Sequence, residues 1–306
     1  MRWSAPVALA AALFAPGIWA ENPGAQITGL LTDSRLAEIS GATASRIDPK
    51  LLWVINDSGN PAELMAIDHR GGLKAQVRVI GARNQDWEDL ASYDHGQGPF
   101  IAIADTGDNA GKRGFVSLYL VAEPASDGSV SEVPVHKRLN FSFPDGPHDV
   151  ESLAIDPQRP RAYVISKRTT PPALYSVDLR APGPQTARLL TAIPRLPVAT
   201  AAERQIDPRY ARYRHQPTAM DIRCGGRELW ILTYSSIQRF SRLPGERWSS
   251  ALTKRAPVPL SLPAPLLPQA EALAFDTHCQ SVIVLSEKIP GPIIRYRLGK
   301  ATEQSE

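Results

Sequence analysis

The chain has 306 residues, 43% of them hydrophobic and 21% charged, with a formal charge of only +3. So even a balance excludes a polybasic nucleic-acid binder, whose footprint is a concentrated positive excess. Proline, at 28 residues or about 9% against a usual ~5%, argues against long helices and for short strands joined by turns.

In chain order, Arg2, the apolar run from Ala5 to Phe14 and the small residues ending at Ala20 read as a secretory signal peptide over 1–20. The run is too short to span a bilayer, and no later segment reaches the ~20 apolar residues of a membrane helix. The remainder, 21–306, is expected to be a single periplasmic or secreted domain, monomeric and without a membrane span. Gln26 to Leu31 is strand-like but belongs to no repeat. Five units then follow, each an inner strand and a second apolar strand ending in polar residues. They are Glu38-Ile-Ser-Gly-Ala-Thr with Leu52 to Asp57, Glu88-Asp-Leu-Ala with Phe100 to Asp105, Glu151-Ser-Leu-Ala-Ile-Asp with Ala162 to Lys167, Thr218-Ala-Met-Asp-Ile with Leu229 to Tyr234, and Glu271-Ala-Leu-Ala-Phe-Asp with Val282 to Glu287. A third strand follows most of them, as in Glu63 to Asp68 and Val116 to Val121.

Unit spacings of 50, 63, 67 and 53 residues are the signature of a β-propeller built from four-stranded blades. The fold expected is all-β with five blades, closed into a ring by the N-terminal strand, which supplies the outer strand missing from the last unit. A six-bladed ring is the alternative, with its extra blade in 181–216.

Rotational repetition turns columns of the sequence into rings in space. The first residues of the inner strands, Glu38, Glu88, Glu151, Thr218 and Glu271, gather at one rim of the channel. The second strands return to the same rim and bring Asp57, Asp105, Lys167, Tyr234 and Glu287 there as candidate substrate-binding residues. Asp86 and Asp149 lie two residues before their glutamates, so the pleat points them the same way. Four converging carboxylates must take up protons or bind a cation. An all-oxygen set suits a hard cation, Ca²⁺ before Mg²⁺. The alternative is a solvated or Arg/Lys-paired rim.

Other candidates lie on the same rim. His148 and Asp149 are the candidates for handling a proton or water; the competing role for His148 is to orient the rim. Lys167 and Arg168 would meet the anionic part of a small anionic ligand. Gly107 to Arg113 departs from a phosphate loop in its glycine spacing and in carrying Arg113 where Ser or Thr is needed; it reads as a rim loop. Residues 198–216, rich in Arg and Tyr, form an insertion that covers either an anionic ligand or only solvent. Cys224 and Cys279, the only cysteines, follow neighbouring inner strands at the opposite rim, where a disulfide is expected in an oxidising compartment.

On Leu52-Trp-Val-Ile-Asn-Asp-Ser-Gly59, Asp86-Trp-Glu-Asp-Leu-Ala91, Ala104-Asp-Thr-Gly-Asp-Asn109, Pro144-Asp-Gly-Pro-His-Asp149 and Gln269-Ala-Glu-Ala-Leu-Ala274, the chain resembles bacterial exported propeller proteins of unassigned function. More distantly it is similar to calcium-activated apyrases, in the inner-ring order acid, acid, acid, hydroxyl, acid and in His148-Asp-Val-Glu-Ser152 and Ser166-Lys-Arg-Thr169. That likeness implies Ca²⁺ in the channel, held by Glu38, Glu88, Glu151, Thr218 and Glu271. Propellers of the lactonase, gluconolactonase and phytase types place Ca²⁺ at the same rim. Together these imply a calcium-dependent hydrolase of phosphoesters, phosphoanhydrides or lactones. The alternative is a non-catalytic scaffold for an exported protein partner.

Overall fold

The computed structural model describes residues 24–263 and 265–298; the expected signal peptide, 1–20, lies outside them. The described chain is a five-bladed β-propeller. From the axis outward, blade 1 is Ile39–Ala44, Leu51–Asn56, Glu63–Asp68 and Leu73–Ile80. Blade 2 is Trp87–Asp94, Pro99–Asp105, Val116–Ala122 and Lys137–Ser142; blade 3 is Val150–Ile155, Arg161–Ser166, Ala173–Asp178 and Arg188–Ala192. Blade 4 is Pro217–Ile222, Glu228–Thr233, Ser236–Ser241 and Val258–Ser261. Blade 5 combines Ala270–Phe275, Ser281–Ser286 and Gly291–Arg297 with the N-terminal strand Ala25–Leu31, which pairs antiparallel to Gly291–Arg297 and closes the ring. No sixth blade occurs over 181–216. That stretch holds the outer strand of blade 3, a two-residue addition to blade 2 and the helix Ala201–Ile206.

The strands read as unbroken apolar runs because each blade is covered on both faces. In Leu51–Asn56, Leu51, Trp53 and Ile55 face a cluster shared with blade 2, and Leu52 and Val54 face one shared with blade 5. Two-residue alternation thus sends neighbouring side chains into different cores. One such cluster fills each of the five blade interfaces. Each inner strand touches the next around the axis, and the last touches the first.

Every inner strand also carries a register shift at the same point, so that Ser40, Glu88, Glu151, Thr218 and Glu271 step out of the ladder. Bulges of this kind re-aim side chains. Here they sit at the channel mouth that carries the acids. At the opposite mouth Cys224 and Cys279 join blades 4 and 5 in a disulfide, with Cα atoms 5.8 Å apart.

Candidate functional site

The bulges correct one ring assignment. Blade 1 is registered two residues later than its acidic pattern suggests, so its bulged residue is Ser40, and Glu38 stands level with Asp86, Asp149 and Gln269. A slip of two leaves every side chain on its original face, which is why the pattern hides it. In the second strands, Asp105 is level with Asn56, Ser166, Thr233 and Ser286 rather than with Asp57, Lys167, Tyr234 and Glu287.

The acidic mouth holds a cavity of about 1000 Å³ lined by Asp57, Glu88, Glu151, Lys167, Arg168, Tyr234, Glu271 and Glu287. The insertion forms its roof. Helix Ala201–Ile206 starts in a capping box between Thr200 and Glu203. His215 then ties the segment to blade 4, with Nε2 3.0 Å from Glu203 Oε1 and Nδ1 3.1 Å from Ser235 Oγ. Ile206, Tyr210, Tyr213 and Arg214 thereby line the cavity, and Arg168 stacks over the Tyr213 ring at 5.6 Å.

The acids divide into two groups. In the first, carboxylate oxygens of Asp57, Asp86 and Glu88 lie within 4.8 Å of one another. Among the described residues no Lys, Arg or His side chain forms an ion pair with them. Glu88 is only 7% exposed and has no hydrogen-bond donor among the described residues. Burial, then the charges of Glu151 and Asp57, hold its carboxyl well above the usual range. Burial, with Asp57 beside it, pushes Asp86 up to about 6. Gly107 leaves them room: a Cβ there would stand 2.1 Å from Glu88 Oε1 and 2.4 Å from Asp86 Oδ2. This packed, unneutralised oxygen set fits a hard divalent cation.

The second group carries its own cations. Lys167, 5% exposed, contacts Glu151 Oε2 through Nζ and lies 3.1 Å from the Tyr234 hydroxyl. Tyr234 in turn donates to Glu271 Oε1 at 2.7 Å. Burial opposes the Lys167 charge, but Glu151, Glu271 and Glu88 reverse the effect and hold its pKa above the ordinary value. Arg168 Nε donates to Asp149 Oδ2 at 2.5 Å, and the Asp108 amide donates to Asp149 Oδ1 at 2.8 Å. Carboxylates of Glu88, Asp149 and Glu151 also converge within 4.8 Å. In that trio only Glu88 is without a cationic partner.

Glu38 is exposed and accepts from Asn60 Nδ2 at 2.6 Å. Thr218 Oγ1 donates to the Ala270 carbonyl at 2.7 Å, as Ser40 does to that of Trp87 at 2.8 Å, so both hydroxyls join adjacent blades. Asp105 is buried, pairs with Arg113 at 3.0 Å and accepts from the Asp86 amide at 3.2 Å. The rim loop Gly107 to Arg113 thus braces Asp86. His148 does not line the cavity; its Nε2 lies 2.9 Å from the Tyr175 hydroxyl and 3.0 Å from Asp145. Glu287 accepts from Gln269 Nε2 at 2.6 Å. Sequence reasoning read Gly107 only as part of a rim loop and missed the channel acids Asp89 and Asp221. For these acids a signal existed, because they occupy positions where the other units carry small or weakly polar residues.

Fold and site together define a five-bladed propeller with one acidic, partly self-neutralised channel mouth. No family model matches the chain, and no curated protein matches it in sequence. It is similar to a structure described as a nidogen/laminin complex, at 14% identity and a TM-score of 0.44, covering 86% of this chain and 81% of that one. It is also similar to a gluconolactonase from Xanthomonas campestris, at 13% identity and a TM-score of 0.47, covering 93% of both chains.

Proposed function

We propose that the protein is an exported, calcium-binding propeller that hydrolyses a small phosphoester, phosphoanhydride or lactone at the roofed mouth. The observation that carries this reading is the trio Asp57, Asp86 and Glu88, with Glu88 buried and Asp57 and Asp86 half-buried, Glu88 and Asp86 packed against Gly107 and none of the three in an ion pair among the described residues, at the edge of a cavity that also presents Lys167 and Arg168. Bound there, Ca²⁺ would supply Lewis-acid polarisation of a phosphoryl or carbonyl oxygen. Arg168, oriented by Asp149 and stacked on Tyr213, would hold the anionic part of the substrate. The disulfide supports export, since such bonds persist in oxidising compartments. No helix of the described residues is long and apolar enough to cross a membrane.

A second reading, a non-catalytic scaffold for an exported partner, is favoured by Lys167. Its ammonium already neutralises the Glu151 side of the cluster. Turnover of nucleotides, phosphomonoesters and lactones by purified protein, with calcium or with chelator, separates the two. Calcium-dependent release of product from one class establishes the hydrolase. Calcium binding without turnover of any class leaves the scaffold.

A further inference from the structure

The tunnel floor beneath this site is organised by one side chain. Asp89 is fully buried. Its Oδ1 accepts the Leu90 amide at 2.8 Å; its Oδ2 accepts the Leu153 amide at 2.8 Å and the Met220 amide at 3.4 Å. The donors belong to the inner strands of blades 2, 3 and 4. Blade 1 makes room for the same group, since a Cβ on Gly41 would stand 2.7 Å from Asp89 Cα. Asp89 directly follows Glu88, and Leu153 lies two residues after Glu151. One carboxylate therefore spans the strands that carry two of the cavity's acids.

We infer that Asp89 is a positioning residue for the acidic site, fixing the strand that carries the ligand Glu88 by tying it to the inner strands of blades 3 and 4 across the channel. The inference rests on the calcium reading above. A backbone N–H held by a buried carboxyl oxygen is a short-range restraint, and two of the three, from Leu153 and Met220, cross from blade 2 to blades 3 and 4. Asparagine in its place keeps one acceptor oxygen and turns the other position into a donor facing amide N–H groups. The strand of Glu88 would then part from the inner strands of blades 3 and 4.

Asp221 provides the control. It accepts the Ile222 amide at 2.7 Å and the Phe275 amide at 3.0 Å, joining blades 4 and 5, but it lines the opposite cavity. Calcium titrations by calorimetry, paired with thermal melts, compare wild type, Asp89→Asn and Asp221→Asn. Asp89→Asn is expected to weaken calcium binding by about tenfold to a hundredfold, as loss of an outer-shell support does. Asp221→Asn is expected to lower the melting temperature while keeping the wild-type affinity. A folded Asp89→Asn that binds calcium like wild type overturns the inference, as does an equal loss of affinity in both variants. Should Asp89→Asn fail to fold, amide exchange in the wild type decides instead. Calcium should increase protection of Leu90, Leu153 and Met220 together but not of Phe275; no such coupling also overturns it. A wild type that binds no calcium sinks the functional reading itself, an outcome distinct from either of these.

Discussion

Replacing Gly107 with alanine tests the metal reading at the point where geometry is tightest. The new Cβ would stand 2.1 Å from Glu88 Oε1 and 2.4 Å from Asp86 Oδ2. Carbon and oxygen in contact keep about 3.3 Å, so each carboxylate must retreat by about 1 Å. Gly107 does not use the left-handed backbone region, so alanine brings no backbone strain, and the displaced atoms are the ends of flexible side chains. The fold should therefore tolerate the change, with a calcium-free melting temperature within about 4 °C of wild type. The site should not tolerate it. Calcium–oxygen distances occupy only about 2.3–2.6 Å, and misplacing two of three anionic ligands should cost about tenfold to a hundredfold in affinity, or about 1.4–2.8 kcal/mol. Calorimetric calcium titration beside a melt without calcium measures both quantities. A Gly107→Ala protein that binds calcium as tightly as wild type would remove the Asp57–Asp86–Glu88 trio as the ligand set.

Two further outcomes follow from the internal cation and the disulfide. Lys167→Met should lose about 3–5 kcal/mol at alkaline pH, the usual cost of stranding buried charges, and most of that loss should vanish near pH 5 in denaturant titrations. The sign follows from Glu151 and Glu271, each pushed up to about 8. Burial is the leading cause for both; Lys167 opposes it, and Glu271 or Glu287 adds to it. Acids raised in the folded state favour folding below their unfolded pKa, and that contribution is lost as pH rises through the folded value. A pH-independent loss would refute the assignment of Lys167 as their counter-ion. Separately, Cys224→Ser with Cys279→Ser opens a link between residues 55 apart. Loop entropy sets the penalty at about 4 kcal/mol, read as a lower denaturation midpoint; an unchanged midpoint would show that the ring holds blades 4 and 5 together without it.

Much of the fold was legible because a propeller strand is buried on both sides. Leu52-Trp-Val-Ile and Val282-Ile-Val-Leu show no alternation to confuse with a helix, and their recurrence sets the blade count. Ring closure was legible for a different reason: one strand was missing at the end, and one was spare at the beginning. What the sequence concealed were shifts that keep its pattern intact. Moving blade 1 by two residues leaves every pleat facing as before, so Glu38 reads as an inner-ring acid although Ser40 occupies that place. Side-chain direction was equally hidden for Thr218, whose hydroxyl is taken by the Ala270 carbonyl, and for His148, held among Phe143, Tyr175 and Asp145.

The arrangement of charge also explains why a rim with so many acids need not hold a correspondingly large number of cations. Lys167 directly follows the second strand of blade 3 and reaches Glu151 and, through Tyr234, Glu271. Arg168, the next residue, serves Asp149. Both cations arise from one blade, and their ion pairs, to Glu151 and Asp149, stay on that side of the channel, although Glu88 still feels the Lys167 charge. Across it, blades 1 and 2 contribute Asp57, Asp86 and Glu88, and their nearest guanidinium on the rim loop, Arg113, is engaged by Asp105 and the Gly107 carbonyl. Repulsion is thus relieved internally on one side and left standing on the other. A single divalent ion on the unrelieved side would leave Arg168, 35% exposed along its side chain, facing the same cavity. That pairing of a metal with a guanidinium is what an anionic substrate requires, and on this geometry removing Arg168 should weaken substrate binding without releasing calcium.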